Sequence, residues 1–237
     1  MTSKERRLEP IDLCCLDLAG TTVADDGVVD AAFIDALGSV GISESSPSWP
    51  DVLSVVTSTM GTSKIEVFRS LLFDEERALL ANRAFETAYA ARVANGAVTP
   101  IEGAAEAIEA MRTAGIHVAF NTGFSPTTRD TLLEALGWED LADLALSPDD
   151  VGRGRPAPDL VLASIIALGT TGVGSTAVCG DTPADIECGR RAGAAIVAGV
   201  LTGTGQRADL AEAGATHILG SVAELPALVA AVHAAHP

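Results

Sequence analysis

The chain has 237 residues, 48% hydrophobic but only 4% aromatic, enough for one large domain or a domain with an insertion around a core of Ala, Val, Leu and Ile. Its 32 acidic and 15 basic side chains give a formal charge of −17, which argues against nucleic acid or an anionic membrane surface as partner. No apolar run is long enough to cross a bilayer (Ala194–Leu201 is among the longest), and the charged stretch Met1–Arg7 has no signal-peptide pattern.

The run Ile11–Leu16, rich in branched residues and stopping at Asp17, reads as a buried strand. It would deliver Asp17 to the carboxyl edge of a sheet, where open α/β folds place their ligands. Gly20 permits a sharp turn there, and the hydroxyls and N–H groups of Thr21 and Thr22 can hold an anion. Two of the four cysteines, Cys14 and Cys15, are adjacent in this strand, which fits neither a disulfide framework nor a zinc site. A reducing cytoplasm is the expected location.

Val23–Gly27 is an acidic exit from the strand, and residues from Val28 to about Asn95 read mostly as helix. Val29–Leu37 has helical apolar spacing and ends at Gly38 and Gly41. Gly41–Pro50 is a Ser-rich loop, and Asp51–Met60 a short helix or turn region closed by Gly61. Ser63 followed three residues later by Glu66 is a capping-box signature for a helix over Lys64–Leu72. Glu75–Ala94, Ala-rich and free of Pro and Gly, is the longest helix.

From Asn95–Pro100 onward strands and helices alternate. Helices are expected over Ile101–Ala114, Pro126–Leu136, Pro158–Leu168, Pro183–Ala192, Gln206–Ala213 and Glu224–Ala235. Strands are expected over Ile116–Asn121, Leu141–Leu146 (weak), Thr176–Cys179, Ala194–Leu201 and Thr216–Leu219. The repetition implies a mostly parallel sheet in an α/β, Rossmann-like core. That core would comprise residues 9–24 and 97–237, with an all-helical cap inserted over 25–96.

Polar residues gather at the expected strand ends. The second long strand runs into Asn121-Thr122-Gly123; the loop Gly152–Pro158 holds Arg155 in a stiff, proline-flanked turn; and Gly180–Asp185 carries Asp181 and Asp185 four residues apart. Asp17 and Asp181 on neighbouring strand ends would form a hard oxygen site suited to Mg²⁺. Singly, Thr122 is an ordinary turn former, Arg155 a surface charge and Asp185 a first-turn helix acid. Their joint order and spacing argue for a site. The basic residues add one anomaly: thirteen are arginine, and the only lysines are Lys4 and Lys64. None of His117, His217, His233 and His236 falls at the carboxyl end of a motif strand, so all four read as structural or surface residues.

This pattern resembles the haloacid dehalogenase superfamily, whose four motifs match Asp17, Thr122, Arg155 and Asp181 with Asp185, over nearly the whole chain. The resemblance implies an aspartate nucleophile, a Rossmann-like core with a mobile cap, and Mg²⁺ held by the set Asp17, Ala19, Asp181 and Asp185. Phosphatases of the superfamily usually carry a second aspartate two residues after the nucleophile, as general acid and base. Here Ala19 stands there, although a positioned acid is worth about 10²–10⁴-fold for an ester leaving group.

The Asp-x-Ala-Gly-Thr-Thr form is similar to one branch, the phosphonatases, and Met60-Gly61-Thr62-Ser63-Lys64 is similar to their Met-Gly-x-x-Lys segment. There the lysine forms a Schiff base with the substrate aldehyde, an electron sink without which P–C cleavage would leave a carbanion. Ala19 keeps an extra carboxylate away from an amine that must be neutral to attack, and a helix N-terminus lowers that amine's pKa. The resemblance implies catalytic roles for Asp17, Lys64, Thr122 and Arg155, and substrate binding by Gly20, Thr21, Met60, Gly61 and Gly123. Two positions depart from the branch: Val67 stands where it has histidine, and Phe124 where it has tyrosine. The leading expectation is an Mg²⁺-dependent hydrolase of a small carbonyl phosphonate, with a homodimer left open. A phosphatase of a small phosphate ester and a non-catalytic phospho-ligand-binding protein stand as alternatives.

Overall fold

The computed structural model describes residues 9–234; Lys4, the Met1–Arg7 stretch, His236 and the expected helix end at Ala235 lie outside them. In chain order, β1 (Leu13–Leu16) and β2 (Val23–Ala24) lead into α1 (Val28–Ser39), α2 (Trp49–Ser58), α3 (Lys64–Leu72) and α4 (Glu75–Ala94). The return passes through β3 (Thr99–Pro100), α5 (Ala104–Thr113), β4 (His117–Asn121), α6 (Pro126–Leu136), β5 (Leu144–Leu146) and α7 (Pro148–Val151). Then follow α8 (Asp159–Leu168), β6 (Thr176–Gly180), α9 (Pro183–Ala192), β7 (Ile196–Val200), α10 (Arg207–Ala213), β8 (His217–Leu219) and α11 (Leu225–Ala234). None of these helices is long and apolar enough to cross a membrane.

Six strands form one parallel sheet in the order β5-β4-β1-β6-β7-β8. β1 is buried throughout and pairs in register with both neighbours, Leu16 standing opposite Phe120 on β4 and Cys179 on β6. Its side chains alternate between two apolar layers, Cys14 and Leu16 in one and Leu13 and Cys15 in the other, as the twofold repeat of a strand requires. All four cysteines are free and buried. From β1 the chain crosses to β4 and β5 on one side and returns to β6, β7 and β8 on the other, so the carboxyl end of β1 is a switch point of the kind that forms ligand crevices.

The helices α1–α4 fill the long connection after β1. Its two ends are joined by an antiparallel ribbon, Val23 opposite Pro100 and Ala24 opposite Thr99. Phe33, Phe68 and Phe85 hold the helical layer together, with ring centroids 5.0–6.4 Å apart, and Tyr89 carries the cluster to Phe124 of the core at 4.9 Å. The chain's scarce aromatics are thus spent largely on the insertion and its seam with the sheet.

Several elements differ from the sequence expectation. α3 begins at Lys64 as expected, but not through a capping box: Ser63 makes no side-chain bond to the helix, and Glu66 is taken by Arg69 at 2.6 Å. α5 starts at Ala104 rather than Ile101, because the Ile101 N–H donates to Thr22 O (2.9 Å) and Gly103 adopts a left-handed φ of 78°. α1 runs through Gly38 to Ser39. The weak strand shrinks to three residues, and the short α7, opened by a Ser147–Asp150 capping box, was not anticipated.

Candidate active site

Asp17 is the first residue beyond β1, and its N–H still donates to Cys179 O (3.0 Å), fixing it against β6. The chain then turns tightly: the N–H groups of Thr21, Thr22 and Val23 all donate to Leu18 O, and the Thr22 hydroxyl donates to Asp17 O (2.9 Å). Gly20 has a φ of 83°, and a Cβ there would lie 2.6 Å from an Asp181 carboxylate oxygen. Both the turn and the neighbouring acid therefore require glycine.

Arg155 is no surface charge. Its side chain is 3% exposed; one guanidinium nitrogen donates to Asp17 Oδ1 (2.6 Å) and to Asn121 O (3.1 Å), and the other pairs with Asp185. Asp185 does serve its ordinary helix role as well, accepting from the Thr182 N–H (3.1 Å) and hydroxyl (2.5 Å) at the start of α9. One buried cation thus holds the first and last acids in place. Removing the one cation of such a cluster, which leaves its buried acids unpaired, costs about 3–5 kcal/mol. Arg155→Ala should lower the melting temperature and raise the inhibition constant for inorganic phosphate about tenfold or more, the worth of a charge-assisted hydrogen bond. An unchanged phosphate constant would mean that Arg155 acts on the protein's own acids alone.

Asp181 is 2% exposed and has no cationic partner among the described residues. It accepts from the Thr204 N–H (2.9 Å) and hydroxyl (3.4 Å), and from the Thr21 hydroxyl (3.4 Å). Carboxylate oxygens of Asp17, Asp181 and Asp185 lie within 4.8 Å of one another. Burial, and then the neighbouring acids, push Asp181 above the usual carboxylate range; Asp17 is also raised, chiefly by burial and against the pull of Arg155. Three buried acids against one arginine leave surplus negative charge on hard oxygen donors, a set that fits Mg²⁺. Ala19 borders the same space and could offer only its backbone carbonyl.

Facing this edge is Lys64, the first residue of α3, 7% exposed. Its amine lies 5.6 Å from the ring centre of Phe33 and 5.5 Å from that of Phe124. Burial and the nearby Arg155 guanidinium hold its pKa down to about 8, against the upward pull of Asp17, Asp25 and Asp181. A cavity of about 230 Å³ separates Lys64 from the core acids. Thr122 also lines it, its hydroxyl accepting from the Phe124 N–H at 3.2 Å.

Of the residues singled out from the sequence for catalysis, metal or anion binding, Thr21, Thr22 and Asp185 do not line this cavity, and Thr22 spends both its N–H and its hydroxyl inside the turn. Thr21 is fully buried and spends its hydroxyl on Asp181. Gly61 and Gly123 line it and also set how closely the insertion approaches the sheet. A Cβ on Gly61 would lie 2.3 Å from Thr182 Oγ1, and one on Gly123 would lie 2.7 Å from the carbonyls of Gly61 and Thr62. Val67 is buried in the main apolar cluster, away from the cavity, while Phe124 walls the lysine. The described histidines stand elsewhere: His117 beside Asp143, His217 beside Thr216, and His233 accepting from the Ile11 N–H.

Sequence reasoning missed the loop after β7 and the residue Asp25. Thr202 donates to Gly20 O (2.7 Å), and a Cβ on Gly203 would sit 2.0 Å from Asp181 Oδ2. The available signal was the run Thr202-Gly203-Thr204-Gly205 at a strand's carboxyl end.

Comparison with known proteins gives the family and the fold. Residues 11–193 match the sequence model of the haloacid dehalogenase-like hydrolases. The phosphonoacetaldehyde hydrolase of Bordetella pertussis is 32% identical over 155 residues, 55% of this chain and 56% of that protein, so the match spans about half the length of each. A phosphonoacetaldehyde hydrolase-like protein from Oleispira antarctica superposes with a TM-score of 0.82 at 24% identity, covering 99% of this chain and 96% of its own. A predicted phosphoglycolate phosphatase from Haemophilus somnus does so at 0.77 and 19% identity, covering 93% and 99%. At such identities these two structures speak for the fold alone.

Proposed function

Because the chain belongs to the haloacid dehalogenase-like hydrolases, we propose that it cleaves the P–C bond of a small carbonyl phosphonate, phosphonoacetaldehyde or a near relative. The observation that carries this reading is Lys64: a buried amine with a lowered pKa, across one cavity from the Asp17 carboxylate. Lys64 attacks the carbonyl carbon and water leaves, giving an imine. Asp17 then attacks phosphorus while the P–C electrons pass into the imine, leaving an enamine on Lys64 and a phosphoryl group on Asp17. Protonation and hydrolysis of the enamine release the aldehyde or ketone, and water frees phosphate from Asp17.

Asp17, Asp181, Asp185 and the Ala19 carbonyl would hold Mg²⁺, which supplies charge neutralisation for the phosphonate oxygens. The Thr122 hydroxyl and the Arg155 guanidinium orient the same group and add attraction that a chain of net charge −17 otherwise lacks. The aromatic walls of Phe33 and Phe124 keep water from the amine. Ala19 fits this scheme, since the departing carbon needs no acid at that position.

The same fold also accommodates a phosphatase reading, which keeps Asp17 as nucleophile, with Lys64 as a fixed charge only. A panel assay separates the two. Phosphate and free aldehyde should appear together from phosphonoacetaldehyde, with far slower release from phosphate esters; the reverse order of rates would favour the phosphatase.

The pH dependence supplies a further check. Only the neutral amine attacks, so reductive capture of Lys64 by an aldehyde should rise about tenfold per pH unit below a midpoint near pH 8 and level off above it. A flat profile from about pH 6 to 9 would contradict a lysine nucleophile.

A further inference from the structure

We infer that Asp25 is a catalytic acid and base that serves the Lys64 amine, an inference that rests on the P–C cleavage reading. Phe124, which walls the Lys64 amine, cannot move a proton. None of the described histidines reaches the cavity, so the proton transfers of imine formation need another agent.

Asp25 directly follows β2 and lines the same cavity as Asp17 and Lys64. It is half-buried, and its carboxylate is fixed at one end only: Oδ1 accepts from the Val29 N–H at 3.0 Å at the start of α1. The other oxygen has no hydrogen bond and no ion-pair partner among the described residues, which leaves it available to a ligand. Asp26 and Asp30 also border the cavity, but both are exposed to solvent. The acids of the sheet edge are already engaged, Asp17 and Asp185 by Arg155 and Asp181 by Thr204 and Thr21. Burial raises the pKa of Asp25, so that it holds a proton more readily than a free aspartate does.

The chemistry balances with one starting proton. As the neutral Lys64 amine forms its bond to the carbonyl carbon, protonated Asp25 gives its proton to the carbonyl oxygen. The resulting carboxylate takes a proton from the now cationic nitrogen and returns it to the hydroxyl. The C–O bond breaks and water leaves, carrying one hydrogen from Asp25 and one from the amine. What remains is the iminium cation with the Asp25 carboxylate as its counter-ion. The proton taken up again when the enamine is hydrolysed restores the starting state.

The test compares Asp25→Asn and Asp25→Glu with the unaltered protein. Asparagine preserves the acceptor for the Val29 N–H and the shape of the residue, but cannot carry the proton. The Asn variant should lose about 10²–10⁴-fold in kcat with phosphonoacetaldehyde, while the inhibition constant for inorganic phosphate stays within about twofold; the Glu variant should recover part of the loss. Borohydride capture of phosphonoacetaldehyde at Lys64 should slow in the Asn variant. A merely electrostatic role gives the opposite sign, because removing a nearby negative charge leaves more of the amine neutral. Faster capture, turnover within about threefold of the unaltered protein, or loss of phosphate inhibition in both variants would overturn the role of Asp25. Absence of any capture in the unaltered protein would instead overturn the P–C cleavage reading, and this inference with it.

Discussion

Lys64→Arg is expected to abolish P–C cleavage, with kcat/KM for phosphonoacetaldehyde falling about 10⁴-fold or more, as when a covalent catalytic group is removed. Arginine retains the positive charge and much of the length of lysine, but its guanidinium stays protonated under any condition the fold survives and cannot attack a carbonyl. The substitution therefore separates charge from nucleophilicity. If Lys64 acted only as a cation near a phosphate ester, the arginine variant would keep most of its activity. Ala19→Asp supplies the converse test. A carboxylate at that position would stabilise the ammonium form of an amine that burial and Arg155 now hold near a pKa of 8, so imine chemistry should slow. A phosphatase lacking its usual acid should gain from the same change. Near-normal turnover in Lys64→Arg, measured with the carbonyl phosphonate itself, would reject the imine mechanism and leave the family membership intact.

Asp17→Asn should be as severe in rate and mild in stability. The side chain provides the attacking oxygen, and an amide in its place is no nucleophile toward phosphorus, so turnover should fall about 10⁴-fold or more. The folded state has little to lose. Asparagine still offers Oδ1 to the Arg155 guanidinium, and the residue it replaces is a buried acid whose ionisation is already disfavoured by burial and by Asp185. Its melting temperature should equal or exceed that of the unaltered protein. Steady-state rates with a parallel thermal melt check both halves of the prediction, and retained turnover would remove Asp17 from the reaction.

Several elements were legible because their signals are local. The branched run before Asp17 and the uninterrupted Ala-rich stretch of α4 specify a strand and a helix without reference to the rest of the chain. Proline at the first turns of α6 and α9 fixes where those helices begin. The gathering of Asp17, Thr122 and Asp181 at one sheet edge followed from the strand ends alone.

What escaped depends on contacts distant in sequence. The two-residue strands β2 and β3 have no period to detect, and they exist because each supplies the other's hydrogen bonds across the insertion. Arg155 was singled out by its proline-flanked turn, but its pairing with Asp17 and Asp185 exists only once the fold brings them to either side of it. Ser63 and Glu66 satisfy a capping pattern, yet Arg69 one turn on competes for the glutamate and wins. Asp25 lay within an acidic pair, and nothing in the sequence says which of Asp25 and Asp26 becomes half-buried at the cavity.

The most direct measurement is borohydride trapping of phosphonoacetaldehyde on the protein, followed by mass spectrometry of its peptides. A reduced adduct on the peptide containing Lys64, dependent on borohydride and absent from Lys64→Arg, is the predicted result. Release of phosphate and aldehyde with no adduct at Lys64, or with the adduct on another residue, would contradict the account.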